Sequence, residues 1–224
     1  MATNFPASLD TLTNPTSSDS LSSPSHSAQH ANVNDAVEAL QAKVGVDSSA
    51  VTSSLDYKVA QLEGRDTAGL VHISRTTIGS AVSSVTVSDA FSADYDSYKI
   101  IIAGGAGSTA LALRIALGAT TTGYSRGEIL TLYASPGVLV FGVVNGANWT
   151  VGRGNANALS ANVEISSPFL TEYTRFTTTW ANNDAFGHGG GELDNTTSYT
   201  AFTITTSTGT MTGGTIDVYG YAKA

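Results

Sequence analysis

The sequence predicts a mainly β protein: an antiparallel, jelly-roll-like C-terminal β-sandwich, preceded by an extended N-terminal anchor and two short helices. Two observations lead there. From Gly69 onward apolar and polar residues alternate with a period of two in about ten short runs. Turn clusters such as Gly104-Gly105-Ala106-Gly107 and Asn182-Asn183-Asp184 separate the runs, and no helical pattern interrupts them. Strands without intervening helices exclude a doubly wound parallel sheet. The lack of a fixed-period repeat argues against a β-helix shaft or a propeller.

Three regions follow from the N-terminus: a docking segment at 1–30, a helical joint at 31–66 and a β head at 67–224. Residues 1–30 hold twelve Ser or Thr and three of the five prolines, with apolar side chains only at isolated points. Such a segment cannot bury enough surface to offset its ordering entropy, so it orders only against a partner. Phe5, Leu9, Leu12 and Leu21 are the residues expected to plug into that partner.

In the first helical pattern Asn34 or Asp35 caps the start, Glu38 completes a capping box with Asp35, and Gly45 provides the stop. In the second, Ser48 or Ser49 caps and Gly64 ends the run. Val33, Val37, Leu40 and Val44 form one apolar stripe, and Val51, Leu55, Val59 and Leu62 form the other. Helices of this length are marginal alone, so each stripe must pack on something. The spacing suits a parallel bundle in which three copies bring one stripe to a shared axis, giving a homotrimer. An intramolecular helical hairpin docked on the β body is the alternative.

The β runs are expected at 70–77, 82–88, 97–103, 111–117, 128–133, 137–144, 160–166, 175–180, 199–206 and 215–218. Leu111, Leu113, Ile115 and Leu117 alternate with small residues and Arg114, while Phe176, Thr178 and Trp180 alternate with Arg175, Thr177 and Thr179. Trp180 on such a strand is expected in the core. The segments 120–127, 145–157 and 182–198 are read as loops, with Tyr124, Trp149, Phe186 and His188 as candidate distal binding residues.

Composition narrows the function. Ten Lys and Arg stand against 18 Asp and Glu, for a net charge of -8, so no basic stripe exists to neutralise phosphates and nucleic acid is not an expected partner. Without cysteine there is no disulfide framework and no thiolate site. The longest apolar runs are too short to span a bilayer, so no membrane insertion is expected. Residues 1–25 carry no Lys or Arg and no continuous apolar core, which fits neither a signal peptide nor a transit sequence and implies synthesis in a cytoplasm.

Several motifs imitate chemistry. Gly123-Tyr124-Ser125-Arg126-Gly127 fits the nucleophile-elbow pattern and His188-Gly189-Gly190-Gly191 an oxyanion loop. An elbow joins a strand to a helix, however, whereas the residues after Gly127 read as another strand, and both segments are more simply tight turns. The loop at 104–109 lacks the lysine and the helix of a phosphate-binding loop. His26 and His30 have the spacing of a metal pair but precede the expected helix cap, where hydrogen bonding to fix the chain's entry is the simpler role. Acidic residues are scattered singly, so no glycosidase pair is legible. The expectation is a protein with no catalytic residues, no metal and no cofactor.

The opening Phe5-Pro-Ala-Ser-Leu-Asp-Thr-Leu, the stretch from His26 to Gly45 and the segment Ser49-Ala-Val-Thr-Ser-Ser-Leu-Asp-Tyr-Lys-Val-Ala-Gln-Leu-Glu-Gly resemble the N-terminal region of fibre and minor structural proteins of tailed bacteriophages. The resemblance covers roughly residues 3–64. It implies a virion location, a homotrimeric fibre or spike anchored through its N-terminus to other virion proteins, and a distal β domain that adheres to a glycan or protein of the host surface. A head fibre decorating the capsid, or a collar or baseplate connector without receptor binding, is the alternative implied by the same phrase.

Overall fold

The computed structural model describes residues 16, 18, 20, 22, 25–65 and 69–223, the side chains of Gly64 and Arg65 excepted. The docking residues Phe5, Leu9, Leu12 and Leu21 lie outside the described residues. The chain divides into two compact units between Thr67 and Ala68.

The first unit holds helices α1 (His26–Val44) and α2 (Leu55–Arg65). Helix α1 starts well before the expected Asn34 or Asp35 cap, so those residues and Glu38 lie inside it and form no capping box; Ser25 takes the N-cap position without a side-chain cap bond. The good helix formers between Ala28 and Ala31 extend the pattern backward at little cost. Gly45 ends α1 as expected, at φ 89° with its N–H donating to the Gln41 carbonyl at 2.8 Å.

The cap of α2 is Ser54 rather than Ser48 or Ser49. Its hydroxyl accepts the Tyr57 N–H at 3.2 Å and donates to the Val51 carbonyl at 2.8 Å. Ser49 instead ties the preceding loop down, donating its own N–H to Asp56 at 2.8 Å. Val51 therefore precedes the helix, and only Leu55, Val59 and Leu62 of that stripe lie on it. No residue of α1 is buried.

The second unit is built of strands. They are β1 (Leu70–Thr77), β2 (Ser84–Val87), β3 (Ser97–Gly104), β4 (Ala106–Gly107), β5 (Leu111–Leu117), β6 (Tyr124–Leu132) and β7 (Val138–Gly146). After them come β8 (Trp149–Gly154), β9 (Leu159–Ser166), β10 (Thr174–Ala181), β11 (Ala185–Leu193), β12 (Phe202–Thr206), β13 (Met211–Thr212) and β14 (Thr215–Tyr221). Among the described residues every strand pairing is antiparallel.

Eight strands form one broad layer in the order β1-β14-β3-β9-β10-β11-β6-β7, and four form a narrower one, β2-β12-β5-β8. The short β8–β9 pairing joins the layers, and β8 lies over β10, β11 and β6. The result is an antiparallel β-sandwich. Ile100, Ile102, Val163 and Ile165 of the broad layer share one core with Leu113, Ile115, Leu117, Phe202 and Ile204 of the narrow one. Period-two alternation supplies both inner faces; β10 reads Thr174, Phe176, Thr178, Trp180 inward and Arg175, Thr177, Thr179, Ala181 outward.

Three strands overturn the loop reading, the first being β6, which already begins at Tyr124 inside the expected loop 120–127. Residues 149–154 form β8 and residues 185–193 form β11, which is paired along its whole length by β10 and β6. The inner face of β11 carries Gly187, Gly189 and Gly191, and these glycines supply room rather than turns. A Cβ on Gly187 would sit 2.6 Å from the Trp180 ring, and one on Gly191 would meet the Ser125 carbonyl oxygen and stand 2.9 Å from the Phe176 ring. The space lets Phe176 stack on Trp149 of β8 at 4.6 Å, and Tyr124 meets Trp149 edge-on at 5.1 Å.

A buried ion pair completes this region. Arg153 donates to both oxygens of Glu128, at 3.0 and 2.8 Å, with Glu128 only 5% exposed, and its guanidinium lies 5.5 Å over the Trp180 ring. Trp180 is in the core as expected.

Two substitutions separate space from flexibility. Gly191→Ala is expected to destabilise the β body by about 1–3 kcal/mol through overpacking against backbone. Gly127→Ala, whose Cβ meets nothing within 4 Å, is expected to leave the urea midpoint unchanged or slightly raised. Equal effects from the two would refute the steric role of the glycine row.

Candidate binding face

The outward face of the broad layer carries a shallow concavity. Across β9, β10 and β11 the register aligns Asn162, Thr179 and His188 in one row and Glu164, Thr177 and Gly190 in the next. Short side chains in adjoining rows leave a trough made of two hollows of about 460 Å³ each, which share Asn162, Thr179 and His188. Phe186, 52% exposed and stacked on Tyr133 at 6.2 Å, stands at one end.

Electrostatically the trough is nearly neutral. Its one carboxylate, Glu164, is engaged at both oxygens: Lys99 donates to one at 2.9 Å and the Tyr221 hydroxyl to the other at 2.6 Å. That bond to Glu164, helped by burial, pushes the Tyr221 hydroxyl up to about 12. Farther along the same face Arg75, at 2.6 Å, holds the Asp217 carboxyl below the usual carboxylate range. What remains to meet a ligand is a set of hydroxyl and amide groups, one imidazole and one aromatic edge. Such groups exchange hydrogen bonds with a polyhydroxylated or peptide-like surface and pack an apolar face against it.

Of the four candidate distal residues, Phe186 and His188 lie on this face, although on β11 rather than on a loop. Tyr124 and Trp149 do not. Both are fully buried, because each begins a strand with its side chain turned to the inner face. The Tyr124 hydroxyl accepts the Leu117 N–H at 2.7 Å, and burial pushes its pKa up to about 12. Trp149 donates its indole N–H to the Glu192 carbonyl at 3.4 Å.

Asn162, Thr177 and Thr179 carry no mark of a binding role in the sequence, and Glu164 stands there only as one of the scattered acidic residues. The alternation on β10 marks Thr177 and Thr179 as outward, but a polar outward residue is the rule on any half-buried strand. Only the register of three strands, which a sequence does not supply, gathers them.

The catalytic imitations come apart in the structure. Ser125 lies within β6 and stands opposite Glu192, not His188. His188 is four positions along β11, about 13 Å away at the rise of a strand, too far for a serine–histidine hydrogen bond. Among the described residues no three His, Cys, Asp or Glu side chains gather in a metal-ligand cluster. His26 and His30 lie inside α1 rather than ahead of it, their Nε2 atoms 3.1 Å apart in a mutual hydrogen bond.

A smaller cleft of about 250 Å³ opens at one end of the sandwich, among Leu130, Arg153, Asn155, Trp180 and Asp184. Arg153 is committed to Glu128 and lies over Trp180, which leaves no open aromatic face there.

Compared with known proteins, the chain matches no family model, no curated protein and no solved structure.

The Tyr221–Glu164 contact makes an alkaline prediction. A tyrosine held near 12 in the folded chain but near 10 when unfolded contributes stability below pH 10 that is lost as the pH rises through 12. Tyr124 adds a second loss over the same window through desolvation. Between pH 10 and 12 the urea midpoint is therefore expected to fall, and Tyr221→Phe is expected to flatten that fall. An unchanged slope in the variant would rule out the contact's contribution.

Proposed function

We propose that this chain is a structural component of a phage virion: a homotrimeric fibre or spike, docked by its N-terminal segment, with the β-sandwich as a distal domain for adhesion to the host surface. The observation that carries the reading is the state of α1. Its nineteen residues bury nothing, and Val33, Val37, Leu40 and Val44 are each about half exposed. A lone helix of that length with a bare apolar stripe is marginal in water, so its stability has to come from association. Leu55, Val59 and Leu62 on α2 are equally bare.

The resemblance of residues 3–64 to fibre and minor structural proteins of tailed phages supplies the setting. The trough supplies a surface suited to adhesion. It is shallow and neutral, and three copies on one trimer convert weak single contacts into useful avidity. No nucleic acid enters the reading, since the net charge is -8.

The second reading, a head fibre or a collar or baseplate connector, is favoured by the burial of Tyr124 and Trp149, which withdraws two of the four candidate recognition residues.

Two measurements test this. Light scattering is expected to give three times the chain mass, or a whole multiple of that, for the full-length protein and a mass that is no multiple of three chains for Val37→Asp with Leu40→Asp, with the β-sheet circular dichroism retained. A monomeric parent protein would refute the trimer. Labelled full-length protein is expected to bind phage-susceptible bacteria saturably and to lose that binding in Thr179→Arg. Binding to phage particles but not to cells would favour the connector reading.

A further inference from the structure

Strand β7 ends the broad layer, and its outer edge has no partner among the described residues. Both faces of this edge strand are apolar. Val138 and Val140 point outward at 72% and 70% exposure, while Leu139 and Phe141 point inward beyond the reach of the narrow layer at 41% and 50%. Ile129 and Leu132 on the adjoining β6, Tyr133 just after it and Phe186 one strand farther in, on β11, are also bare.

Natural edge strands are blunted by lysine, proline, short length or bulges. Strand β7 runs for nine residues with no charge and no proline, and its only irregularity is the register shift near Val143–Gly146. An edge in this state is a template for another strand.

We infer that β7 pairs antiparallel with β7 of a second copy of this chain. Charge is the first argument for that occupant. The run between Glu128 and Arg153 is the longest charge-free stretch in a chain of net charge -8. A basic partner would find nothing to attract it there, whereas two acidic copies can meet at that edge without opposing like charges.

Shape is the second argument. A two-fold centred on a residue near Val140 or Phe141 sets the outward residues 138, 140 and 142 against one another and the inward 139 and 141 against one another. The broad layer then continues across the contact without exchanging faces. Cross-strand packing is the third argument. The pairing satisfies the free N–H and C=O groups of the edge and sets Val138, Leu139, Val140 and Phe141 beside apolar counterparts at directly opposed and diagonal positions.

The pairing goes beyond the trimer proposed above, because an isologous contact joins bodies two at a time and so links one trimer to the next.

The absence of cysteine makes the test direct. Single variants Val138→Cys, Leu139→Cys, Val140→Cys, Phe141→Cys and Gly142→Cys of the full-length protein are oxidised, with Thr177→Cys on the exposed face of β10 as the control. A lone cysteine bonds to its own copy only where the two-fold brings paired Cα atoms within about 7 Å. One or two adjacent positions are expected to give several-fold more disulfide-linked dimer than the control. Val140→Lys is expected to halve the assembly mass by light scattering, and Leu40→Asp to leave the β7 cross-link intact, which separates this contact from the helices. Yields equal to the control at all five positions would overturn the pairing. So would β7 amides protected from hydrogen exchange without a cross-link, since residues 1–15 or a foreign strand would then occupy the edge.

Discussion

The stacking of Phe176 on Trp149 ties the broad layer of the sandwich to the narrow one, and it exists only because the strand beside Phe176 has no side chain at Gly191. Two aromatic rings in face contact bury more area than any aliphatic pair and add about 0.5–1.5 kcal/mol beyond it. They also need a flat floor. Gly191 supplies that floor under Phe176 and Gly187 supplies it under Trp180, while Gly189 keeps β11 close to the Gly127 carbonyl of β6. A further link runs from the Thr178 hydroxyl, which donates to the Val151 carbonyl and so joins β10 to β8 by a hydrogen bond across the core. Removing side chains from one strand thus fixes the position of three others, β6, β8 and β10.

This arrangement also explains which parts of the fold were legible in the sequence. Strands such as β5, β9 and β10 announce themselves because a large apolar or β-branched residue recurs at nearly every second position. Strand β11 hides because its inner face has been emptied to make room for its neighbours. A run such as Gly-His-Gly-Gly-Gly has the composition of a turn, and only the partners on either side reveal its conformation. Strand β8 hides for the opposite reason: Trp149 to Gly152 are all buried, so no alternation remains to be read. The same blindness placed Tyr124 and Trp149 on distal loops, since an aromatic residue near a glycine reads as exposed until the parity of its strand is known. On the helical side, the apolar stripes were legible, but the start of α1 and the Ser54 cap of α2 were not, because serines at neighbouring positions are interchangeable in sequence and differ only in which one meets an N–H.

The candidate site was legible only in halves. Phe186 and His188 stood out as unusual residues, whereas Asn162, Thr177 and Thr179 did not, because each is an ordinary outward residue of its strand. Their grouping comes from register. Thr179 faces Asn162 on one side and His188 on the other, and a shift of one residue in either pairing would replace that row with buried side chains. The trough is therefore as well specified as the core beneath it, since the same registers set both.

A mismatch in width accounts for the remaining exposed apolar surface. Eight strands cannot be covered by four, and β8 reaches as far as β6, where Leu130 is 7% exposed. One strand farther out, Leu139 and Phe141 have the same inward parity and no cover. The inner face of β7 is apolar because the strand continues the core pattern, and its outer face is apolar although nothing in the sandwich requires it. Val140 stands in the row that carries His188, Thr179 and Asn162 on β11, β10 and β9, and Val138 in the row of Phe186 and Ala181. A residue pattern that stays apolar on both sides of a strand belongs to strands covered on both sides. Among the described residues nothing covers β7 on either face.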